Sequence, residues 1–142
     1  MRFASLVCLA ALFPTLATAD EMWSTPYGYV AWEDTQGDIA VFRMMGDDGQ
    51  TPGTMRIFVP GLPNDVMGGR HVYFGYWTDP AADEPCTFDV LDAMGNKSPS
   101  WGRLTLNFLD PEFPSNWAGL SGYCFDEPSI QINATPAFGI GD

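Results

Sequence analysis

Short runs of β-branched and aromatic residues recur along this chain, and each run ends at glycine, proline or a cluster of polar residues. The 15 glycines and 12 prolines are spread throughout the sequence. Short strands bounded by such turn residues are typical of antiparallel sandwiches and small barrels. We therefore expect an all-β fold of about seven or eight short strands, for which a sandwich and a barrel both remain open.

Eight segments have strand character, because valine, isoleucine, threonine, tyrosine, phenylalanine and tryptophan favour strands. The turn at Asp34-Thr35-Gln36-Gly37 joins the first two segments as a hairpin. Residues 110–119 are predicted to be irregular, with a short helical turn near 115–118, and the tail 136–142 is predicted to fray. The predicted strands are 27–32, 38–44, 54–59, 71–78, 86–91, 101–109, 122–125 and 129–133.

The first residues have the pattern of a secretory signal peptide. Arg2 supplies a positive start, an apolar stretch follows, and Ala17-Thr18-Ala19 presents small residues before a cleavage point. The apolar stretch is shorter than the about 20 residues that cross a bilayer as a helix. We therefore expect a signal peptide at 1–19 and a single all-β domain at 20–142, secreted to a periplasm or to the extracellular medium.

Three cysteines occur in the chain, and one of them, Cys8, lies inside the predicted signal peptide. Cys86 and Cys124 remain in the expected mature protein. Two cysteines in an oxidising compartment usually form a disulfide. The adjacent C-x-x-C spacing of redox-active pairs is absent. We therefore expect one structural disulfide, Cys86–Cys124.

The chain is strongly acidic, with 18 Asp and Glu residues against 6 Lys and Arg and a formal net charge of −12. Such a charge repels phosphate backbones and anionic membrane surfaces, so nucleic acid is not an expected partner. No second apolar run follows the predicted signal peptide, so we expect no membrane insertion of the mature chain. A cationic protein is the partner class that this charge would attract, although acidity also serves simple solubility.

No pattern of catalytic or metal-binding residues stands out. His71 is the single histidine, no Gly-x-Ser-x-Gly motif accompanies it, and a structural or surface role is the simpler interpretation. A zinc site needs several His or Cys ligands, and the acidic clusters at 33–38 and 47–48 lack the spacing of an EF-hand loop. We therefore expect no metal and no cofactor, and we assign no catalytic residue.

The aromatic residues are the best candidates for a binding site. In the strand predicted at 71–78, alternation places Tyr73 and Trp77 on one face and Phe74 and Tyr76 on the other. Trp117 lies in the irregular segment, where it would reach the surface or plug the end of a barrel. Aromatic side chains in small β domains are mostly core, but Tyr73, Trp77 and Trp117 also suit a sugar ring or a protein interface.

Three functions fit these observations. The first is a secreted, non-catalytic binding module or inhibitor that recognises an extracytoplasmic protein or a glycan. The second is a small hydrolase of the glycosidase type that uses two carboxylates. The third is a structural or assembly component of an envelope or extracellular layer. Small size, aromatic strands and the lack of a catalytic signature favour the first.

Overall fold

The protein is an eight-stranded, closed, antiparallel β-barrel. The computed structural model describes residues 21–65 and 72–137, so the predicted signal peptide, His71 and residues 138–142 lie outside the described residues. The described strands are β1 (Met22–Thr25), β2 (Gly28–Gln36), β3 (Ile39–Met45), β4 (Pro52–Pro60), β5 (Val72–Thr78), β6 (Val90–Leu91), β7 (Lys97–Ser98), β8 (Trp101–Phe108), β9 (Trp117–Ser121) and β10 (Ile130–Pro136).

The barrel strands follow the order β1-β10-β9-β8-β5-β4-β3-β2, and β1 pairs with β2 to complete the circle. The remaining strands, β6 and β7, form a separate two-stranded sheet, and the single described helix, α1 (Leu62–Asp65), is one turn long. The all-β prediction is confirmed. Of the two architectures that the sequence left open, the structure is the barrel, because the first strand is hydrogen-bonded to the last.

Alternation along the strands separates the barrel interior from its outer surface. In β8, Leu104, Leu106 and Phe108 are buried, whereas Thr105 and Asn107 between them are partly exposed. Strand β5 behaves as predicted, since Tyr73 and Trp77 point inward and Phe74 is 74% exposed on the outer face. Period-two burial of this kind is what places one face of every barrel strand in the core.

One end of the barrel is filled by five aromatic rings, which we call the aromatic plug: Trp23, Trp32, Phe42, Phe108 and Phe113. Trp23 is fully buried at its centre, with ring centroids 5.7 Å from Phe42, 6.3 Å from Phe108 and 6.0 Å from Phe113. Edge-to-face packing of aromatic rings at these distances is favourable. The plug closes this end of the interior.

The disulfide predicted from the cysteine count is present between Cys86 and Cys124, whose Cα atoms are 5.5 Å apart. Neither cysteine lies in a strand, so the strands predicted at 86–91 and 122–125 are wrong, except that Val90–Leu91 forms the short β6. The N–H groups of Cys86 and Cys124 donate to the carbonyls of Pro99 and Trp101, outside the barrel ladder. A disulfide indicates folding in an oxidising, extracytoplasmic environment.

Two barrel strands, β1 and β9, were not predicted. The helical turn predicted near 115–118 is wrong, because β9 begins at Trp117, which pairs with Phe108 of β8 and with Ala134 of β10. Phe108 lies before the loop that precedes β9, and Ala134 lies beyond the turn that follows it. Hydrogen bonds to these two flanking strands, rather than local propensity, therefore determine the conformation of β9.

A bulge in β2 places Glu33 against two arginines on the outer surface. The pairing register of β2 shifts between Trp32 and Asp34, and the Glu33 carboxylate accepts hydrogen bonds from Arg43 Nη1 and Arg56 Nε, both at 2.8 Å. Arg43 and Arg56 are direct cross-strand partners, so the carboxylate separates two like charges that would otherwise repel each other. The hydrogen bond from Arg56, opposed by partial burial and helped by both positive charges, lowers the pKa of Glu33.

We expect Glu33→Gln to lower the melting temperature at pH 7, and the difference from wild type to shrink in acid. Because the folded pKa lies below the usual 4.5, the stabilisation by Glu33 is complete above pH 4.5 and is lost as pH falls through the folded pKa. Thermal unfolding from pH 7 to pH 2.5 measures this. Glu112→Gln, at an exposed acid, is the control. A difference independent of pH would contradict the prediction.

Candidate functional site

The end of the barrel opposite the aromatic plug is an open cup with a volume of about 550 Å³. This end is formed where β1, β3, β5 and β9 finish and where β2, β4, β8 and β10 begin. The residues that line the cup are mostly apolar: Thr25, Tyr27, Val30, Met44, Gly53, Thr54, Met55, Ile57, Trp77, Asp79, Ala82, Leu104, Trp117, Ser121, Tyr123, Ile130 and Ile132.

The cup exists because small residues occupy inward positions at this end of the strands. Gly53 on β4 and Ser121 on β9 line the cup near its mouth, whereas the interior at the opposite end of the barrel is lined by phenylalanine and tryptophan. An eight-stranded barrel has an interior that side chains just fill or that holds one small ligand. Here the aromatic side chains fill one half, and the short side chains leave the other half open.

Trp77 forms part of the cup wall and is held by a hydrogen bond. Its indole N–H donates to the carbonyl of Gly122 at 2.9 Å, and its ring lies 5.6 Å from that of Tyr123. The close approach requires glycine at position 102, because a Cβ there would overlap the Gly122 carbonyl and the Trp77 indole. The polar atom of Trp77 is therefore already satisfied, and its ring presents an apolar surface to the cup.

Two other polar atoms of the lining residues have no partner. Trp117 is 2% exposed, and its Nε1 has no hydrogen-bond acceptor among residues 21–65 and 72–137. The hydroxyl oxygen of Tyr123 is likewise buried and unpartnered within this part of the chain. Buried polar groups are paired in the great majority of cases, and those that are not mark sites of function or of missing solvent. Both atoms lie beneath the surface of the cup wall, where a water-sized molecule in the cup does not reach them.

The mouth of the cup is acidic. Asp79 is the charged residue among those lining the described cup, and its Oδ1 accepts hydrogen bonds from Thr54 Oγ1 at 2.6 Å and from the Ala81 N–H at 3.1 Å. The connections at this end of the barrel carry nine acids, against one base, Lys97, which pairs with Asp89. The acids are Asp47, Asp48, Asp79, Asp83, Glu84, Asp89, Asp92, Asp126 and Glu127. A field of this sign attracts cations and repels anions.

The structure separates the three aromatic residues that the sequence singled out. Trp77 and Trp117 both line the cup, but Tyr73 does not and lies 5% exposed beside residues of the plugged end. Of the two positions left open for Trp117, the surface is excluded, because Trp117 is 2% exposed and β9 places its side chain in the barrel interior. The sequence did not single out Tyr123, whose predicted strand is a turn. A side chain in a turn follows no alternation that would have placed it.

Two other depressions have comparable volumes, about 530 Å³ beside residues 110–116 and about 420 Å³ beside residues 92–98. Neither is lined by a described side chain with an unpartnered buried polar atom. Among the described residues, no group of three or more His, Cys, Asp and Glu side chains is arranged to hold a metal ion. The same residues include no helix that is long and apolar enough to span a membrane. The cup is therefore the candidate functional site.

Comparison with known proteins does not add to this description: no family model, curated protein or solved structure matches the chain.

Proposed function

We propose that the protein is a non-catalytic binding module that acts outside the cytoplasm and takes the apolar part of its ligand into the cup. The observation that carries the proposal is the cup itself, a mostly apolar cavity of about 550 Å³ that opens at one end of the barrel. Apolar ligand surface buried in such a cavity gains roughly 25 cal/mol per Å².

The dimensions and lining of the cup support the same function. Small-molecule sites are concave, mostly apolar, about 300–1,000 Å³ in volume and equipped with a few polar groups that fix orientation. The cup, at about 550 Å³, has this character. The closed barrel with its aromatic plug is a stiff scaffold, so little ordering of the protein is needed when a ligand enters.

The cup favours some ligand classes over others. A glycan needs many polar partners, and here the polar side chains are few and close to the mouth. A hydrolase of the glycosidase type needs two carboxylates across the substrate, whereas Asp79 is the one carboxylate among the described lining residues. A protein partner could insert an apolar side chain, and the acidic loops around the mouth would suit a cationic surface.

The place of action follows from two features together. The disulfide requires oxidising conditions, and the predicted signal peptide at 1–19 would export the chain. We therefore propose a periplasmic or extracellular protein, whose ligand is met after export.

We expect the neutral apolar dye N-phenyl-1-naphthylamine to bind the protein expressed from its full sequence, with one site and increased dye fluorescence. Ser121→Trp should reduce the affinity at least tenfold, because the new indole occupies the cup. Leu120→Trp is the matched control, since the neighbouring residue points to the outer face and is 41% exposed. Fluorescence titration measures the affinity of each variant.

Equal dye binding by both tryptophan variants would contradict the proposal, as would the absence of saturable binding by wild type. If Ser121→Trp fails to fold, as judged by circular dichroism, Ser121→Leu fills the cup partly and should still weaken binding. Melting temperatures of all variants, taken with and without dye, give a second readout, because a ligand that binds only the folded protein raises the melting temperature.

A further inference from the structure

The lining of the cup includes one side chain that accepts hydrogen bonds and cannot donate them. Apart from the two indoles, the polar side chains of the described lining are Thr25, Tyr27, Thr54, Asp79, Ser121 and Tyr123. A hydroxyl both donates and accepts, so it does not distinguish a positive ligand group from a negative one. A carboxylate only accepts, and it binds most strongly to a charged donor. Asp79 therefore determines which ligand charge the cup prefers.

The two oxygens of the Asp79 carboxylate differ in their contacts. Oδ1 accepts hydrogen bonds from Thr54 Oγ1 at 2.6 Å and from the Ala81 N–H at 3.1 Å, which fix the side chain at the end of β5. Oδ2 has no hydrogen-bond or ion-pair partner among the residues that the structure describes. Asp79 is partly exposed, and Oδ2 does not belong to the buried unpartnered atoms of these residues. It is therefore accessible from the mouth of the cup, unlike Trp117 Nε1 and Tyr123 Oη.

The positive charges nearest in sequence are engaged elsewhere. No lysine, arginine or histidine is among the described lining residues. Lys97 pairs with Asp89 at 3.0 Å, Arg43 pairs with Glu33 at 2.8 Å, and Arg103 donates to two backbone carbonyls. The nine acids in the connections at this end draw cations towards the mouth and repel anions.

A wholly apolar ligand does not satisfy this carboxylate. A ligand that fills the cup displaces water at the mouth, and an acceptor that loses water without gaining a donor raises the free energy of the complex. This cost is greater for a charged group than for a neutral one. An ammonium group at the end of an apolar body replaces the lost water with a charge-assisted hydrogen bond. Because the mouth is open, the ammonium group also keeps part of its own hydration.

Building on the proposed binding function, we infer that the ligand of the cup is an amphiphilic cation, a small molecule whose apolar body fills the cup and whose ammonium group binds Asp79 Oδ2 at the mouth. The apolar body lies against the aliphatic wall formed by residues such as Ile57, Leu104 and Ile132. Apolar amines belong to this ligand class, and carboxylic acids of the same size are rejected.

Three compounds that share a ten-carbon chain test this class by displacement of bound N-phenyl-1-naphthylamine at pH 7. They are decylammonium, 1-decanol and decanoate, each below the concentration at which it forms micelles. We expect decylammonium to bind roughly three- to tenfold more tightly than decanol, the size of a charge-assisted hydrogen bond to a partly exposed group. Decanoate should bind most weakly. High ionic strength should reduce the advantage of decylammonium, since salt screens exposed charges.

Asp79→Asn assigns the preference to the carboxylate, because the amide keeps the size and the acceptor of the Thr54 hydrogen bond and removes the charge. The ratio of the decylammonium affinity to the decanol affinity should fall towards one, while decanol keeps its affinity within about twofold because the apolar wall remains. Asp83→Asn is the matched control. It removes the same charge from an exposed position in the same connection that does not line the cup, and most of the preference should remain.

Asp79→Glu keeps the charge and should keep the preference for decylammonium over decanol. If Asp79→Asn fails to fold, as judged by circular dichroism, Asp79→Ala and the salt dependence of the wild-type protein retain the test. In Asp79→Ala, the preference should be lost as it is in Asp79→Asn.

Three results overturn the inference: decylammonium that binds no more tightly than decanol, decanoate that binds as tightly as decylammonium, or a preference that removal of the Asp79 charge leaves unchanged. The source of failure is then visible from the dye. Binding of the dye and of decanol without a preference for the cation refutes the ligand class and leaves the binding function intact. Absence of binding by the dye and by all three decyl compounds refutes both.

Discussion

Trp23→Ala should lower the free energy of unfolding by about 3–5 kcal/mol, the range for large-to-small changes at buried aromatic residues. Trp23 is fully buried in the aromatic plug between Phe42, Phe108 and Phe113, and its N–H donates to the Ser115 carbonyl at 2.9 Å. The substitution leaves a cavity where three rings meet and an unpaired carbonyl. Because domains are stable by only about 5–15 kcal/mol, the loss is a large fraction of the total.

Thermal and urea unfolding followed by circular dichroism measure this loss. Trp23→Phe keeps a ring in the plug and should lose clearly less. Phe74→Ala removes another aromatic side chain, one that is 74% exposed on the outer face, and it should change stability by no more than about 0.5 kcal/mol. Similar losses of unfolding free energy in Trp23→Ala and Phe74→Ala would contradict the prediction, because they would show that the aromatic plug does not stabilise the core.

Removal of the disulfide should lower the free energy of unfolding by about 4 kcal/mol, the chain-entropy value for a closed loop of this size. The bond joins residues 38 positions apart, and the loop that it closes contains two barrel strands, β8 and β9. Without the disulfide, the unfolded chain has more conformational entropy, so folding loses more entropy and the folded barrel is less stable. The double variant Cys86→Ala, Cys124→Ala and the reduced wild-type protein should lose similar amounts.

Urea unfolding with and without a phosphine reductant measures this effect. Reductant should shift the midpoint of wild type and leave the double variant unchanged, which separates the disulfide from other actions of the reagent. The disulfide also fixes the turn that contains Tyr123, a residue of the cup lining. The affinity for the dye should therefore fall in the double variant under conditions in which that variant is folded. An unchanged wild-type midpoint under reduction would contradict the prediction.

Local patterns predicted the elements whose hydrogen-bond partners are near in sequence. The β2–β3 hairpin was predicted, but residues 34–36 of its predicted turn belong to β2. The observed turn is Gly37-Asp38, and the φ of 63° at Gly37 suits glycine. Strand β8 alternates between buried and partly exposed residues from Gly102 to Phe108, and its observed limits lie within one residue of the predicted ones. In contrast, β1 pairs with β2 but also with β10 at the far end of the chain. A segment of four residues is too short to show a strand pattern in its sequence, so β1 is recognisable only from its pairing with β2 and β10.

The candidate site was predictable only in part for a related reason. Aromatic strand residues marked Trp77 and Trp117, and both line the cup. The cup itself depends on which barrel end the aromatic rings fill, and that follows from closure of the whole barrel. The small inward residues Gly53 and Ser121 look like ordinary turn and strand residues in the sequence. Their importance is visible only when the strands are arranged in a circle.

Closure by the first and last strands also constrains when the chain can fold. Trp23 pairs with Pro136 and Ser24 with Thr135, and the Ala137 N–H donates to the Met22 carbonyl at 2.8 Å. A chain still being synthesised has no β10, so its growing barrel keeps two unpaired edges and an open seam. Contacts of such long sequence separation form slowly. The architecture therefore delays closure of the barrel until β10 has been synthesised, and a chain that lacks β10 cannot complete its hydrogen-bonded circle.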